Sequence, residues 1–348
     1  MKNKIRQYYL WLRQLLADKR KNRFPSLDGW RGISILFVLA AHLFPLGPKQ
    51  WQMNSAVAVT GMVIFFNLSG FLITTILLRD RNIPYFLLRR FLRIVPLAWL
   101  VIFVTFTTLH QTSSHVWLSH LFFYANFVHP MTLTAETSHY WSLCVEMQFY
   151  LLVTALVLVF KRYAFYLLPV FGIGATLFRV YDGVGVTIVT YYRMDEIFAG
   201  CILALLYAKK DNNLVKNIFS HLNPVVLLPF VLLSSHPLAG PWQYFRPYFA
   251  MMLLGSTLFN LEKKGYRWNK LLSSTNLQYI ATISYALYII HGGLRFSWLG
   301  SGGKLMRYLK RPLLLAVVFV LAHLSTFHYE RHWLTWGKSM RKYFPKVE

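Results

Sequence analysis

Phe24-Pro25-Ser26-Leu27-Asp28-Gly29-Trp30-Arg31 opens a run that continues through Ile33-Ser34-Ile35-Leu36-Phe37-Val38-Leu39-Ala40-Ala41 to His42. From Arg31 to His42 a helix makes about three full turns with a remainder of roughly 20°, and rises about 16 Å. Arg31 and His42 therefore share one face at different depths. Asp28, one turn before Arg31, lies on that face too, so the stripe reads Asp28, Arg31, Ile35, Val38 or Leu39, His42. In a helix facing lipid these ionisable groups would cost a few kcal/mol each. The stripe must face protein or water. Two readings are open from this stretch alone: an interfacial Asp28–Arg31 pair with a hydrogen-bonded core histidine, or a functional site with His42 inside a helical bundle.

The surrounding composition decides the class. Of 348 residues, 56% are hydrophobic, 17% aromatic and 14% charged, against about a quarter charged in a soluble domain. This is the composition of an integral membrane protein. The formal charge of +25 does not point to nucleic acid, because Lys and Arg cluster between apolar segments in the positive-inside pattern. Cys144 and Cys201 lie in apolar stretches and read as packing residues, with no disulfide framework or metal-ligand spacing. Met1 to Arg23 is polar and basic, so no cleavable signal peptide is expected.

The expected fold is all-α, a polytopic bundle of about ten transmembrane helices, given roughly 17 to 25 apolar residues for a crossing and fewer inside a bundle. The spans centre on residues 33–44, 56–78, 94–109, 141–160, 163–178, 196–208, 224–235, 247–261, 277–291 and 313–328. Residues 1–23 interleave Lys and Arg with Ile5, Tyr8, Trp11 and Leu15, and read either as an amphipathic helix on the anionic cytoplasmic leaflet or as a tail whose charges only fix topology. Residues 24–330 form the membrane domain and 331–348 a basic cytoplasmic tail. With the amino terminus inside, the basic clusters at Arg79 to Arg93, Lys161-Arg162, Lys209 to Lys216 and Lys263 to Lys270 all fall on the cytoplasmic side. One outward loop resists the rule. It carries Lys304, Arg307, Lys310 and Arg311, and either binds something anionic outside or marks a miscounted span; the first is favoured. Another outward connection holds His110, His115, His120, His129 and His139, but at spacings that match no tetrahedral metal site. Its apolar middle, 116–128, suits a re-entrant or interfacial helix.

Intramembrane polar residues are functional candidates by default. Arg89, Arg90 and Arg93 open the third span, with Arg90 and Arg93 projecting to one side. They suit anionic phosphates or serve only as a topology anchor. In the stretch from His139 to Tyr150, Ser142, Glu146, Phe149 and Tyr150 fall on one helical side. A carboxylate at Glu146 must be paired, hydrogen-bonded or protonated; it could orient an imidazole as in a triad or pin two helices. Arg193-Met194-Asp195-Glu196 forms a further polar patch, and Tyr285, Tyr288 and His291 end the ninth span.

These residues resemble the acyltransferase-3 group of integral membrane O-acyltransferases. The resemblance rests on Leu27-Asp28-Gly29-Trp30-Arg31 with His42, on Phe65-Phe66-Asn67-Leu68-Ser69-Gly70-Phe71-Leu72, on Arg89-Arg90-Phe91-Leu92-Arg93-Ile94-Val95-Pro96, on His139 to Tyr150, and on Ile283-Ser284-Tyr285-Ala286-Leu287-Tyr288 up to His291, in the family's order over most of the chain. It implies a bundle that takes an acetyl or other acyl group from cytoplasmic acyl-coenzyme A and delivers it to a hydroxyl of a lipid-linked or surface glycan at the bacterial inner membrane. The essential first-helix and third-span positions of such enzymes land on Arg31, His42, Arg90 and Arg93. The resulting expectation is catalysis by His42 and Glu146, acyl-coenzyme A phosphates held by Arg31, Arg89, Arg90 and Arg93, and support from Asp28, Ser69, Trp141, Ser142, Tyr150, Arg193, Asp195, Tyr288 and His291. The donor would be acetyl-coenzyme A, with no tightly bound cofactor and no metal. The acceptor is expected among surface polysaccharides, with the O-antigen of lipopolysaccharide first, and both termini in the cytoplasm. Some members carry a fused extracytoplasmic esterase-like domain; here any such partner would be a separate protein. Two rival classes are a polyprenol-glycan flippase or other transporter, and a haem protein using His42 and His291.

Overall fold

The computed structural model describes residues 24–111, 113–128, 132–260, 267–345 and 347. The basic segment 1–23, His129, Lys263 and Lys264 lie outside the described residues. Fourteen α-helices follow one another among the described residues, with no strand: α1 Pro25–Leu43, α2 Asn54–Arg79, α3 Ile83–Thr108, α4 Ser114–Leu121, α5 Trp141–Phe160, α6 Ala164–Tyr181, α7 Thr190–Ala208, α8 Asn213–His221, α9 Pro224–Ser234, α10 Arg246–Leu258, α11 Arg267–Leu272, α12 Thr275–Arg295, α13 Lys304–Leu324 and α14 Arg331–Ser339. Local chemistry sets several starts. Prolines sit in the first turn of α1, α3, α9 and α10, where a missing N–H costs nothing, and the Asn82, Asn212 and Asn223 side chains cap α3, α8 and α9.

Every one of the expected span centres overlaps a helix. By length and apolarity alone, however, only four helical stretches among the described residues suffice to cross a membrane: Asn54–Arg79, Ile83–Thr108, Ser138–Tyr181 and Lys304–Tyr343. A fifth is added if Asn213–His221 and Pro224–Ser234, bent by 78°, count as one. The count thus falls short of the expected ten by this measure, because α9 and α10 are short and α1, α7 and α12 carry the buried polar groups of the centre.

Those polar helices are the middle of the bundle. α1 packs between α2 and α12 and also touches α10 and α11, while α2 runs along α7 in the largest helix contact among the described residues. That crossing is close because Gly70 meets the Ile197 carbonyl and Gly200 the Asn67 carbonyl, where a Cβ would sit 1.9 Å from oxygen in each case; small residues let helix backbones approach in this way. One apolar cluster joins the far half of α1 to α3, α5 and α12, and a second surrounds Leu27 and Trp30 with Ala250, Leu253, Leu254 and Phe219. Outward faces expose Phe103, Leu151, Val159, Tyr166 and Leu309, apolar surface that fits lipid rather than water. The chain is therefore an all-helical integral membrane protein. After α13 a π-helical turn, Ser325–Glu330, continues the helix into α14, which packs against α3. The chain end is fastened there by Arg341 on Asp80 at 2.6 Å and by Asn82 Nδ2 donating to the Pro345 carbonyl at 2.6 Å.

Candidate active site

α1 carries its polar stripe from one cavity to another. At its first turns Asp28 and Arg31 line a cavity of about 370 Å³ with Arg79 from α2 and Arg89, Arg90 and Arg93 from α3. At its far end Val38 and His42 line a second cavity of about 320 Å³ with His139, Trp141, Arg193 and Tyr288. Between them Ser34, Ile35 and Val38 meet Met62, Phe65, Phe66, Ser142, Glu146 and Tyr285 around a waist of about 20 Å³, room for roughly one water. The acid–guanidinium–aliphatic–imidazole order of the stripe is the order of the three spaces.

The arginine cavity is strongly cationic. Five guanidiniums face two carboxylates, Asp28 and Asp80, in its lining. Arg90 is held over the Phe86 and Tyr150 rings at 5.5 Å each, Arg31 over Phe65 at 5.5 Å, and Arg89 donates to the Tyr85 hydroxyl at 3.2 Å. At the rim, burial alone would raise the Asp80 carboxyl, but the Asn82 and Val347 amides and the Arg341 guanidinium outweigh it and hold the group below its ordinary value. Such a cluster attracts anions with several phosphate-type oxygens.

In the histidine cavity the hydrogen bonds fix the imidazole tautomers. His291 Nδ1 lies 2.6 Å from the Tyr288 carbonyl and 3.2 Å from the Leu287 carbonyl. Carbonyls only accept, so this nitrogen carries the hydrogen and Nε2 of neutral His291 carries a lone pair. His42 Nδ1 lies 2.9 Å from that Nε2 and must be the donor. His42 Nε2 is thereby left unprotonated, the state a base or nucleophile needs. His139 completes the cluster: its Nε2 donates to the Ile289 carbonyl at 3.1 Å, and its ring lies 5.2 Å from that of His291.

Glu146 is not the partner of His42, a correction to the triad-like reading. Its Oε1 accepts from Ser69 Oγ at 2.5 Å and from the Tyr150 hydroxyl, which ties α2 to α5 at the waist. The imidazole is oriented by His291 instead, because α12 rather than α5 lies against the end of α1. Ser142 pairs with Tyr288 at 2.6 Å, and Tyr288 donates to the His139 carbonyl at 2.7 Å. The His42–His291 contact also bears on the haem alternative: two nitrogens 2.9 Å apart share a hydrogen, whereas a metal between them would need about 4 Å.

A buried charge cluster backs the histidine cavity. Arg179 pairs with Asp195 at 2.5 Å, and Glu196 takes both Arg193 at 3.0 Å and Arg246 at 2.8 Å. Asp195 thus pairs with Arg179 rather than with its near neighbour Arg193. Sequence reading singled out neither Arg179 nor Arg246; the signal was charge balance, since acids at Asp195 and Glu196 inside an apolar helix require more cations than Arg193 supplies. Within the His-rich connection, His120 serves packing while His139 belongs to the histidine cavity. His120 is buried between the Val116 carbonyl at 2.9 Å and the Thr137 hydroxyl at 3.0 Å, and burial lowers its pKa to about 4. No group of three His, Cys, Asp or Glu able to hold a metal occurs among the described residues.

Comparison with known proteins gives a consistent result. The family model described as an acyltransferase domain (acyltransferase-3) matches residues 24–338. A Staphylococcus aureus protein (strain COL) named "Putative O-acetyltransferase" is 27% identical over 324 residues, covering 78% of this chain and 51% of its own. "Peptidoglycan O-acetyltransferase OatA" of Listeria monocytogenes is 25% identical, covering 78% and 50%. A Bacillus subtilis protein named "Putative peptidoglycan O-acetyltransferase" is 28% identical, covering 77% and 48%. The chain spans about half the length of these curated relatives. No solved structure matches.

Proposed function

The chain belongs to the acyltransferase-3 family, and from that premise we propose that it moves an acetyl group from acetyl-coenzyme A in the cytoplasm to a hydroxyl of a cell-surface glycan across the bacterial inner membrane. The observation that carries the proposal is the unprotonated Nε2 that the His291 contact leaves on His42, at the far end of the helix that bears Arg31. Arg31, Arg89, Arg90 and Arg93 hold the phosphates of the donor, and the thioester arm reaches through the waist toward His42. His42 Nε2 takes the proton of the acceptor hydroxyl as its oxygen attacks the thioester carbonyl. The C–O bond forms, the C–S bond breaks, and the leaving thiolate takes the proton back from the imidazolium, so His42 ends neutral. His291 accepts from Nδ1–H throughout and favours the imidazolium, the part a carboxylate plays in a triad. Glu146, with Ser69 and Tyr150, sets the shape of the waist.

The acceptor is a surface polysaccharide. Peptidoglycan appears in the names of two relatives, and lipopolysaccharide O-antigen is the acceptor that the family resemblance alone suggests. The test is transfer of radiolabelled acetyl from acetyl-coenzyme A by purified protein in lipid, with each glycan in turn, wild type beside His42→Ala. Label entering one glycan only with wild type is the expected result. Equal transfer by His42→Ala would overturn the assignment of His42, and transport of an unmodified glycan without label would favour the flippase reading.

A further inference from the structure

The charges behind the histidine cavity do not cancel. Arg179, Arg193 and Arg246 face Asp195 and Glu196, five side chains each at most 1% exposed, so the cluster holds one cation more than it holds anions. The two carboxylates are engaged without Arg193. Arg179 Nη1 reaches Asp195, and both Nε and Nη2 of Arg246 donate to Glu196 Oε1 at 3.0 and 2.8 Å. Arg193 touches Glu196 from the other side, but its Nε and Nη1 are buried with no hydrogen-bond partner. A buried guanidinium with unpaired donors carries a desolvation penalty that some ligand should relieve. Of the three arginines it is Arg193 that lines the cavity containing His42, with its plane set by Trp141 at 5.1 Å and Phe66 at 5.8 Å.

Outside the lining of that cavity, the end of α1 has two further cationic neighbours. Arg295, at the end of α12, lies within electrostatic range of both His42 and His291. Arg311, which lies with Lys304, Arg307 and Lys310 inside α13 rather than in the loop expected there, stacks on Phe44 at 5.8 Å, two residues beyond His42, and its Nη1 is also buried without a hydrogen-bond partner. Two elements far apart in sequence thus bring unpaired guanidinium donors to the side where the acceptor would enter. A neutral sugar uses such donors poorly; an anion uses them with charge-assisted, bidentate bonds.

We propose that Arg193 receives an anionic group of the acceptor, a carboxylate or a phosphate carried on the saccharide, so that the preferred acceptors are acidic glycans. This rests on the reading of the histidine cavity as the acceptor site. Arg295 and Arg311 draw the acid toward the cavity, and Arg193 fixes it with the sugar hydroxyl directed at His42. Arg193→Gln leaves a neutral cluster in which Asp195 keeps Arg179 and Glu196 keeps Arg246, so the fold has no new unpaired charge to bear.

The experiment is binding, without donor, to the full chain in lipid nanodiscs. The probes are a fluorophore-labelled uronate-containing oligosaccharide, the same oligosaccharide with its carboxyls reduced to alcohols, and a sugar phosphate as competitor. Wild type is expected to bind the uronate form at least tenfold tighter than the reduced form. Arg193→Gln is expected to erase that difference, with Arg193→Lys retaining part of it, while coenzyme A binding at the opposite cavity stays unchanged. Competition by the sugar phosphate but not by the neutral sugar would extend the site to phosphate. Equal wild-type binding of both forms overturns the proposal, and needs no variant to fold. So does a discrimination that survives Arg193→Gln, or a loss in kcat of equal size on acidic and neutral acceptors with KM unchanged, which would place Arg193 on the transition state. Discrimination without any acetyl transfer would leave the anion site standing and refute the proposed reaction.

Discussion

Replacing His291 by leucine removes the acceptor of the His42 Nδ1–H and keeps a side chain of similar bulk at a position 1% exposed. The consequence follows from the bond chain Tyr288 carbonyl, His291 Nδ1–H, His291 Nε2, His42 Nδ1–H. With leucine present, Nδ1–H is buried and unpaired, a penalty of about 1–3 kcal/mol. His42 escapes it by shifting its hydrogen to Nε2 or rotating the ring, and either change removes the base from the cavity. If the reactive tautomer becomes the minor one by that margin, kcat falls by about 5- to 150-fold. KM for acetyl-coenzyme A should not change if, as proposed, the donor's phosphates bind by Arg31, about 16 Å down the helix. His291→Gln, whose amide oxygen can accept from Nδ1–H, should lose less than His291→Leu. The assay is initial-rate transfer of radiolabelled acetyl by matched, folded preparations in lipid at saturating acceptor. Were His291→Leu to keep kcat within about twofold of wild type while His42→Ala was inactive, the tautomer relay would be refuted.

Replacing Arg90 and Arg93 by glutamine should raise KM for acetyl-coenzyme A by roughly tenfold or more each, at about 1.5–3 kcal/mol per charge-assisted bond, and flatten its salt dependence; unchanged donor affinity in a filter-binding assay would remove them from phosphate recognition. Gly292→Ala would place its Cβ 2.0 Å from His139 Cε1, forcing the ring out of its place beside His291 at an overpacking cost of about 1–3 kcal/mol, so both Tm and kcat should fall; a variant with wild-type values would show that this contact yields freely. His120 binds its proton only near pH 4 when folded, so its contribution is complete above about 6.5, the ordinary histidine value, and is lost as pH falls from there to 4. Stability should drop by up to about 3 kcal/mol across that window, and His120→Gln, measured by Tm against pH in lipid, should flatten the slope; an unchanged slope would assign it to other groups.

What sequence could show was set by the range of the interaction. The stripe Asp28, Arg31, Ile35, Val38, His42 was legible because helix geometry alone relates its members, and they line the arginine cavity, the waist and the histidine cavity in that order. Glu146 with Tyr150, one turn apart, was legible for the same reason; Ser69, which completes that bond set, lies 77 positions away. The partner of His42 is 249 residues distant, and no local rule could favour His291 over Glu146. Arg179 and Arg246 were overlooked because each looked like an isolated charge at a helix end, and only the packing of α6, α7 and α10 makes them one cluster with Asp195 and Glu196. The short helices α8, α11 and α14 escaped because they are too brief and too charged to read as spans.

The distribution of charge along α1 explains why the proposed reaction would suit a membrane enzyme of this shape. A donor bearing phosphates cannot enter about 30 Å of hydrocarbon unaccompanied, and a large glycan cannot leave the opposite surface. Neither has to move if the arginine cavity holds the anionic end of the donor and the histidine cavity holds the acceptor, since only an uncharged arm and its acetyl group then enter the waist. At about 20 Å³ the waist admits about one water, so the proposed reaction requires it to widen for the arm and close after it. Its wall is built for that: Met62 is unbranched and adaptable, and Glu146 is held by two hydroxyls from different helices, Ser69 and Tyr150. A closed waist also keeps the two aqueous spaces apart, which preserves the membrane barrier and denies water a path to the thioester. The narrowness of the resting waist is therefore consistent with catalysis through it, and with the ionisable groups of α1 placed near its two ends rather than at its middle.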